Sequence, residues 1–390
     1  MKNIKNIKNI SVKKIRGVGV WLCASVLILF FHITARAAGP EINAPSAILM
    51  EKETGLILYE KDAHTSREPA SVTKIMTILL TMEAIDNGSL SYQTEVMTSR
   101  HASSMGGSQI WLKENEVMTV EEMLKAVCVV SANDCAVALA EQLAGSEQAF
   151  VDRMNRRAAE LGMNDTVFKN ATGLPAVGHV TSAHDIAVMS RELIFNHPAI
   201  RNFTTIWMDT LRDGASQLVN TNKLLRDYNG ITGLKTGSTS SAGYCLSATA
   251  ERDGMELIAV ILKGQTSDTR FRDARNLLDY GFASYILKTI KPEEPLPYIP
   301  VRLGELDLIQ PVMESQEPLL LERSRAGNIR IEIETPEQIE APIAIGDEIG
   351  VLRVYSDDEI LKEIKLLSNQ DISRVTWRHM LFKILETAFL

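Results

Sequence analysis

The spacing of hydrophobic and polar positions changes along the first 290 residues. Residues 45–62 alternate about a turn, which predicts a hairpin of two short strands. Apolar residues then recur at three- and four-residue intervals, and the predicted helices cover 71–86, 119–128, 132–144, 147–161 and 183–195. Strand character returns over 243–250 and 256–263, before a further helix over 269–285. This order predicts a sheet covered by helices, with a mainly helical lobe inserted between its strands.

The pattern changes again after residue 290. Three prolines within 291–297 indicate a linker, and residues 299–367 alternate polar residues with Val, Ile and Leu in short runs. We predict a small β-rich domain that serves as a spacer or binding module. From Trp377 the apolar positions follow one helical stripe accompanied by basic residues, which fits either a membrane-surface helix or a helix packed on the β-rich domain.

The N-terminus has the pattern of a secretory signal peptide. Six basic residues precede the apolar run 18–31, and the small-residue pattern Ala35-Arg36-Ala37 follows it. The run is shorter than the roughly 20 residues of a membrane-spanning helix, although a retained anchor is the alternative. We therefore predict a signal peptide over 1–37, which exports the mature chain to the cell wall and the extracytoplasmic face of the membrane.

Net charge narrows the possible partners. Removing residues 1–37 takes away seven basic residues and no acidic residue, which changes the formal net charge from −8 to −15. Such an acidic chain argues against a nucleic-acid partner, because phosphate binding needs a basic face. The histidines show no metal-ligand spacing, and we expect neither a metal nor a cofactor.

Candidate chemistry begins at the first long helix, where Lys74 follows Ser71 by three residues and shares its helical face. A serine hydroxyl is a weak nucleophile without a base, and a lysine acts as a base only when its pKa is lowered. This pair alone is a weak signal, because a helix-capping serine beside a surface lysine explains it equally well. Ser131-Ala132-Asn133 and Lys235-Thr236-Gly237 follow it in order and complete a set of three motifs.

Ser-x-x-Lys, Ser-x-Asn and Lys-Thr-Gly in this order are the signature of the penicillin-recognising serine acyl enzymes. Over roughly 45–370 the chain resembles the low-molecular-mass penicillin-binding proteins that are D-alanyl-D-alanine carboxypeptidases. Further segments that resemble the family are Met105-Gly106-Gly107-Ser108, Phe168-Lys169-Asn170-Ala171-Thr172-Gly173-Leu174 and Asn220-Thr221-Asn222.

The resemblance implies an α/β (α+β) fold with three parts after the signal peptide. A β-lactamase/transpeptidase-like domain with an antiparallel sheet covered by helices would occupy 38–290. A small β-rich domain would follow over 291–370, and an amphipathic membrane-associating helix over 371–390. The resemblance thus favours attachment of the tail to a membrane surface.

The resemblance also implies catalytic roles. Ser71 would attack the carbonyl of the penultimate D-Ala in a peptidoglycan stem peptide, and Lys74 would accept the serine proton. Ser131 and Asn133 would relay a proton to the leaving D-Ala and hold the substrate amide. Lys235 would bias the electrostatics of that relay. β-Lactams would react with the same serine as covalent inhibitors.

Substrate-binding roles follow from the same resemblance. The backbone amides of Ser71 and Ser238 would form the oxyanion hole. The loop from Thr236 through Gly237 would receive the terminal carboxylate of the substrate. Arg270 matches the position of the family's carboxylate-recognising arginine, and the neighbouring arginines at 272 and 275 leave that choice open.

Three other interpretations compete with the carboxypeptidase interpretation. A class A β-lactamase depends on a glutamate that activates the deacylating water, and residues 166–174 contain none, so we expect penicillin to remain on Ser71. A D,D-endopeptidase uses the same acyl chemistry, and the sequence does not separate the two activities. A non-catalytic wall-associated protein is the third alternative, against which the intact motifs count.

Overall fold

The computed structural model describes residues 39–378 and Leu381. The predicted signal peptide over 1–37 and much of the predicted terminal helix over 371–390 lie outside these residues. Within the described part of the chain, no helix has both the length and the apolar character needed to cross a bilayer.

The predicted hairpin, the predicted helices and the two predicted later strands are all present, and shorter elements that were not predicted lie between them. The helices are α1 (Lys74–Asp86), α2 (Arg100–Ser103), α3 (Val120–Val129), α4 (Asn133–Ala144), α5 (Glu147–Glu160), α6 (Ala183–Asn196), α7 (Arg201–Thr204) and α8 (Ser267–Ser284). The strands up to α8 are β1 (Ser46–Glu51), β2 (Ile57–Lys61), β3 (Glu95–Met97), β4 (Val117–Thr119), β5 (Met208–Leu211), β6 (Ser216–Val219), β7 (Ile231–Thr239), β8 (Gly243–Arg252) and β9 (Met255–Gly264). Three 3₁₀ turns cover Ala70–Thr73, Pro198–Ile200 and Lys223–Arg226.

A five-stranded antiparallel sheet forms the centre of the first domain, in the order β2-β1-β9-β8-β7. Strand β9 is buried on both faces, so its sequence is an almost continuous apolar run. Its alternate side chains enter two different cores. Ile258 and Val260 pack with the helical lobe, whereas Leu257 and Ala259 pack against α8. The predicted sheet covered by helices is confirmed.

Helix α1 runs through the core of the helical lobe. Nine of its thirteen residues are buried, and it is apolar around most of its circumference. The predicted helix over 71–86 begins as the 3₁₀ turn Ala70–Thr73 and becomes α-helical only at Lys74. No side-chain hydrogen bond caps either start, so the capping explanation for Ser71 is not what the structure shows.

The C-terminal part of the chain is rich in strands, as predicted. These are β10 (Tyr285–Lys288), β11 (Ile299–Arg302), β12 (Leu308–Ile309), β13 (Val312–Met313), β14 (Leu319–Glu322), β15 (Ile329–Glu334), β16 (Ile339–Glu340), β17 (Glu348–Ser356) and β18 (Glu359–Leu367). They form small sheets in the orders β12-β11-β16 and β13-β18-β17-β15, and β10 pairs with β14.

Strand pairing places two domain boundaries at positions other than those we predicted. Strand β10 precedes the boundary that we drew at residue 290, yet it pairs with β14. Ile372 and Arg374 form isolated β-bridges with Ile343 and Gly304, so the β-rich domain extends past residue 370. Helical geometry begins at Trp377 rather than at 371. Both boundaries depend on backbone pairing with strands that are distant in the chain. Local periodicity of the sequence does not reveal such pairing.

Candidate active site

The Ser-x-x-Lys pair lies at the junction between the 3₁₀ turn and α1. Lys74 Nζ donates a hydrogen bond to Ser71 Oγ over 3.0 Å. The Lys74 side chain is fully buried, whereas Ser71 is half-buried and reachable from solvent. Burial, together with the positive charge of Lys235, holds the pKa of the Lys74 amine well below its usual value. The turn therefore presents a serine hydroxyl beside an amine that loses its proton readily.

The loop that contains Thr172 and Gly173 completes the environment of Lys74. The Thr172 carbonyl accepts a second hydrogen bond from Lys74 Nζ over 2.7 Å. Gly173 allows this approach, because a Cβ there would lie 1.8 Å from the Ala70 carbonyl oxygen. Its φ of +82° also lies in the region that favours glycine. The amine thus has two acceptors in a fixed geometry.

The Ser-x-Asn motif fills the turn between α3 and α4. Ser131 has a φ of +65°, an unfavourable conformation for a residue with a side chain. Asn133 Nδ2 donates to the Gly106 carbonyl over 2.6 Å, and its backbone N–H donates to the Ser108 carbonyl over 2.7 Å. Ser131 Oγ and Asn133 Oδ1 are buried and have no hydrogen-bond partner among the described residues. Such unpaired atoms suit groups that bind a substrate.

The Lys-Thr-Gly motif lies in the middle of strand β7. Because β7 is an edge strand, one side of its backbone is free of a neighbouring strand. Lys235 Nζ donates to the Thr236 carbonyl over 2.9 Å, and Thr236 Oγ1 donates to Thr221 Oγ1 over 2.7 Å. Burial lowers the pKa of Lys235 to about 7, and the charge of Arg270 adds to this effect.

Gly237 brings β7 against the turn that carries the serine. A Cβ at this position would lie 2.8 Å from the Ser71 amide nitrogen and 3.0 Å from that of Val72. The next residue, Ser238, is exposed at the end of the strand. The backbone of β7 therefore lies against the turn that carries Ser71, and Ser238 is the next residue along the strand.

We expect Gly237→Ala to lower the rate of penicillin acylation about 100-fold, since it would displace backbone amides that we assign to the oxyanion hole. Stopped-flow acylation kinetics would measure the loss. Gly327→Ala is the matched control, because a Cβ there meets nothing within 4 Å. Acylation of the Gly237 variant at the wild-type rate would contradict this steric account.

Of the three candidate arginines, only Arg270 contacts the strand that carries Lys-Thr-Gly. Its Nη1 donates to the carbonyls of Gly237 and Cys245 over 3.0 and 3.1 Å. Burial lowers the pKa of the guanidinium to about 10. Arg272 is exposed, and Arg275 is paired with Asp227. The structure thus singles out Arg270 by position, behind Gly237.

The structure brings all nine predicted site residues into one region, between the helical lobe and the edge of the sheet. Sequence reasoning assigned no role to the Thr172 carbonyl, to Thr221 or to Gly106. All three lie in segments that resemble the family, and that resemblance is the sequence signal that could have identified them. Backbone acceptors such as the Thr172 carbonyl carry no residue-type signal.

Ser71 is half-buried and lies beside Lys74, a buried lysine of lowered pKa. The edge strand β7 adds a second buried lysine, Lys235. Together these features define a serine acyl-transferring enzyme. A family model described as D-alanyl-D-alanine carboxypeptidase matches residues 33–266, and one described as penicillin-binding protein 5, C-terminal domain, matches 288–374. The chain belongs to the D-alanyl-D-alanine carboxypeptidase family.

Individual relatives agree with this assignment. D-alanyl-D-alanine carboxypeptidase DacF of Bacillus subtilis is 40% identical over 85% of this chain and 86% of its own length. Penicillin-binding protein 5 from Haemophilus influenzae is 27% identical, with a TM-score of 0.76 over 87% of this chain and all of that chain. The ampicillin-bound form of penicillin-binding protein D2 from Listeria monocytogenes is 35% identical, with a TM-score of 0.57 over 62% of this chain and 98% of that chain.

Proposed function

We propose that this protein is a serine-type D-alanyl-D-alanine carboxypeptidase, which removes the terminal D-Ala of peptidoglycan pentapeptides through an acyl-enzyme on Ser71. The observation that carries the proposal is the contact of 3.0 Å between Lys74 Nζ and Ser71 Oγ. A base within hydrogen-bond reach of a nucleophile is the minimum that serine acyl transfer requires.

Acylation follows from these contacts. Neutral Lys74 accepts the Ser71 proton while Oγ attacks the carbonyl of the penultimate D-Ala. The amides of Ser71 and Ser238 stabilise the resulting oxyanion, a contribution worth about 3–4 kcal/mol per donor in related sites. Collapse of this intermediate breaks the peptide bond, and the leaving amine receives its proton through Ser131. Water then releases the shortened stem from Ser71.

Recognition of a free carboxylate makes the enzyme an exopeptidase. Lys235 and Arg270 place two buried cations next to Thr236 and Gly237, where the terminal carboxylate of the substrate would lie. Arg270 Nε is buried without a partner among the described residues, so this cation is not fully compensated by protein groups. The residual positive charge favours a substrate that ends in a carboxylate.

In the described part of the chain, no carboxylate is hydrogen-bonded to Ser71 or Lys74 as a base for the deacylation of penicillin. Lys74 Nζ has the Ser71 hydroxyl and the Thr172 carbonyl as its two hydrogen-bond acceptors, and neither is a carboxylate. Within the described hydrogen bonds, Glu147 contacts the loop at the backbone N–H of Ala171, not at Lys74. We therefore infer that penicillin inhibits the enzyme by remaining on Ser71.

One assay separates the activities that share this chemistry. Purified protein would be incubated with pentapeptide muropeptides, with crosslinked dimers and with labelled penicillin. We expect free D-Ala from the pentapeptides and retention of the penicillin label. Release of monomers from dimers without D-Ala release would assign the endopeptidase activity, and loss of the label within seconds would assign a β-lactamase.

The pH profile should depend on Lys235. Lys235 is protonated below its pKa of about 7 and favours the substrate carboxylate, so kcat/KM should fall as the pH rises above about 7. At low pH kcat/KM should fall because Lys74 becomes protonated. In Lys235→Met the alkaline fall should disappear, and the acid fall should move to higher pH, because the pKa of Lys74 would rise. A profile that keeps both limbs would contradict these roles.

The protein's location is part of the proposal. We propose export through the N-terminal segment and association of the C-terminal helix with the membrane surface. The described start of that helix supports this, because Trp377 and Leu381 are 70% and 50% exposed. Sedimentation with anionic vesicles would test it: the mature chain should bind, a chain ending at residue 376 should not, and equal binding of both would refute the proposal.

A further inference from the structure

His179 is a buried histidine that the proposed acylation chemistry does not use. The residue is 2% exposed, and its ring packs edge-on against Phe168, with 5.9 Å between the ring centroids. Burial lowers the pKa of the imidazole to about 4, so the ring is neutral near pH 7. Nε2 lies 3.0 Å from Thr73 Oγ1, whereas Nδ1 is buried and has no partner among the described residues. The polar contact of the ring is therefore with the turn that carries the serine.

Packing alone does not explain a histidine at this position. A phenylalanine ring would fill a similar space against Phe168 and would leave no buried nitrogen unpaired. Thr73 is itself fully buried, and its hydroxyl makes no capping hydrogen bond at the start of α1. The hydrogen bond between His179 and Thr73 is therefore what these two residue types provide.

His179 lies at the base of a closed loop over 167–180. Val167 and Val180 exchange two backbone hydrogen bonds, of 2.9 and 3.1 Å, and so close this loop. The backbone N–H of His179 also donates to the Ala176 carbonyl over 3.0 Å. The imidazole is thus attached to a part of the loop that backbone hydrogen bonds hold in place.

The 167–180 loop contacts the start of α1 at two further points. The Thr172 carbonyl accepts the hydrogen bond from Lys74 Nζ over 2.7 Å. The Ala171 carbonyl accepts a hydrogen bond from Thr77 Oγ1, also over 2.7 Å. Together with the histidine, these contacts fix where the lysine amine lies relative to the serine turn.

We propose that His179 is a positioning residue for acylation, which acts through Thr73. The contact holds the serine turn against the 167–180 loop and keeps Lys74 Nζ within reach of Ser71 Oγ. This inference rests on the proposed function, in which the lysine accepts the serine proton over the observed 3.0 Å. Proton transfer depends on this geometry, since a displacement of about 1 Å can lower a rate about 10²-fold. The hydrogen bonds of the histidine reach none of the proposed substrate-binding residues, so the rate rather than the affinity should change.

A double-mutant cycle on this contact tests the proposal. His179→Phe keeps an aromatic ring and Thr73→Val keeps the shape of the side chain, but each removes the hydrogen bond. We expect each variant to lower the limiting rate of penicillin acylation about tenfold, with less than a twofold change in the dissociation constant of the complex that precedes acylation. The double variant should be about as slow as either single variant, because the bond is already absent. Stopped-flow measurements over a range of penicillin concentrations give both constants.

A conservative variant separates positioning from packing. His179→Gln can place an amide near the position of Nε2 and bond the threonine hydroxyl, so it should acylate within about threefold of the wild type. A packing role predicts the reverse order, with phenylalanine better than glutamine. Thr81→Val is the matched control, because Thr81 is a buried threonine of α1 whose hydroxyl bonds within the helix, to the Thr77 carbonyl over 2.8 Å. It should acylate at the wild-type rate.

Three results would overturn the proposal: additive losses in the double variant, a glutamine variant slower than the phenylalanine variant, or wild-type acylation by Thr73→Val. The last result does not depend on whether His179→Phe folds, and melting temperatures would show which variants do. Absence of a penicillin adduct on the wild type would instead reject the proposed function.

Discussion

Replacing Ser71 by alanine should abolish both the covalent penicillin adduct and D-Ala release, with a loss of at least about 10⁴-fold in kcat. No other hydroxyl is hydrogen-bonded to Lys74 Nζ in the described structure. Intact-mass analysis after incubation with penicillin measures the adduct directly, and it does not depend on which peptide the enzyme prefers.

Ser324→Ala is the matched control for this substitution, because it removes an exposed serine hydroxyl in the β-rich domain. It should form the adduct at the wild-type rate. Both variants should keep the melting temperature of the wild type to within a few degrees, since neither removes a buried side chain. A penicillin adduct of full stoichiometry on Ser71→Ala would place the nucleophile elsewhere.

Lys74→Met should reduce acylation about 10³-fold, because the variant keeps the shape of the side chain but removes the base. Without Lys74, the described structure leaves Ser71 Oγ with no basic nitrogen in hydrogen-bond contact. Penicillin acylation kinetics would measure the loss. Lys291→Met, at an exposed position in the linker, is the control and should acylate normally.

Lys74→Met should also alter how the free energy of unfolding depends on pH. The folded state lowers the pKa of Lys74, so between that pKa and about 10.5 the unfolded chain binds more protons than the folded chain. Wild-type stability attributable to Lys74 therefore increases with pH across this window. The methionine variant lacks this dependence, so its stability relative to the wild type should increase as the pH falls.

Denaturant titrations at several pH values would measure this difference. Each pH unit by which the folded pKa lies below its ordinary value contributes about 1.4 kcal/mol to the relative free energy of unfolding. A difference in stability that is independent of pH would show that Lys74 titrates in the folded protein as it does in water.

Much of the fold was predictable because it depends on local periodicity. The helices of the lobe and strands β8 and β9 follow apolar spacing that tertiary packing did not override. The turn before α1 was not predictable, because Ala70 adopts a φ of +48° against Gly173 from a loop about 100 residues away. The boundary at residue 370 failed for a similar reason, since Ile372 pairs with Ile343.

The sequence by itself determined which residues we propose to carry the chemistry. Residue type and order identify Ser71, Lys74, Ser131, Asn133 and Lys235, although the motifs are separated by 60 and 104 residues. Such motifs are legible because a nucleophile, a base and a cation each need a particular side chain. The absence of a glutamate from 166–174 was equally visible.

Tertiary structure alone decided the properties that depend on distance and burial. The lowered pKa of Lys74 comes from burial and from Lys235, which is remote in the chain. Arg270 was already the sequence-based candidate, and its hydrogen bonds to the Gly237 and Cys245 carbonyls, which distinguish it from the arginines at 272 and 275, are visible only in the structure. Electrostatic and steric effects act through space, so a pattern read along the chain does not contain them.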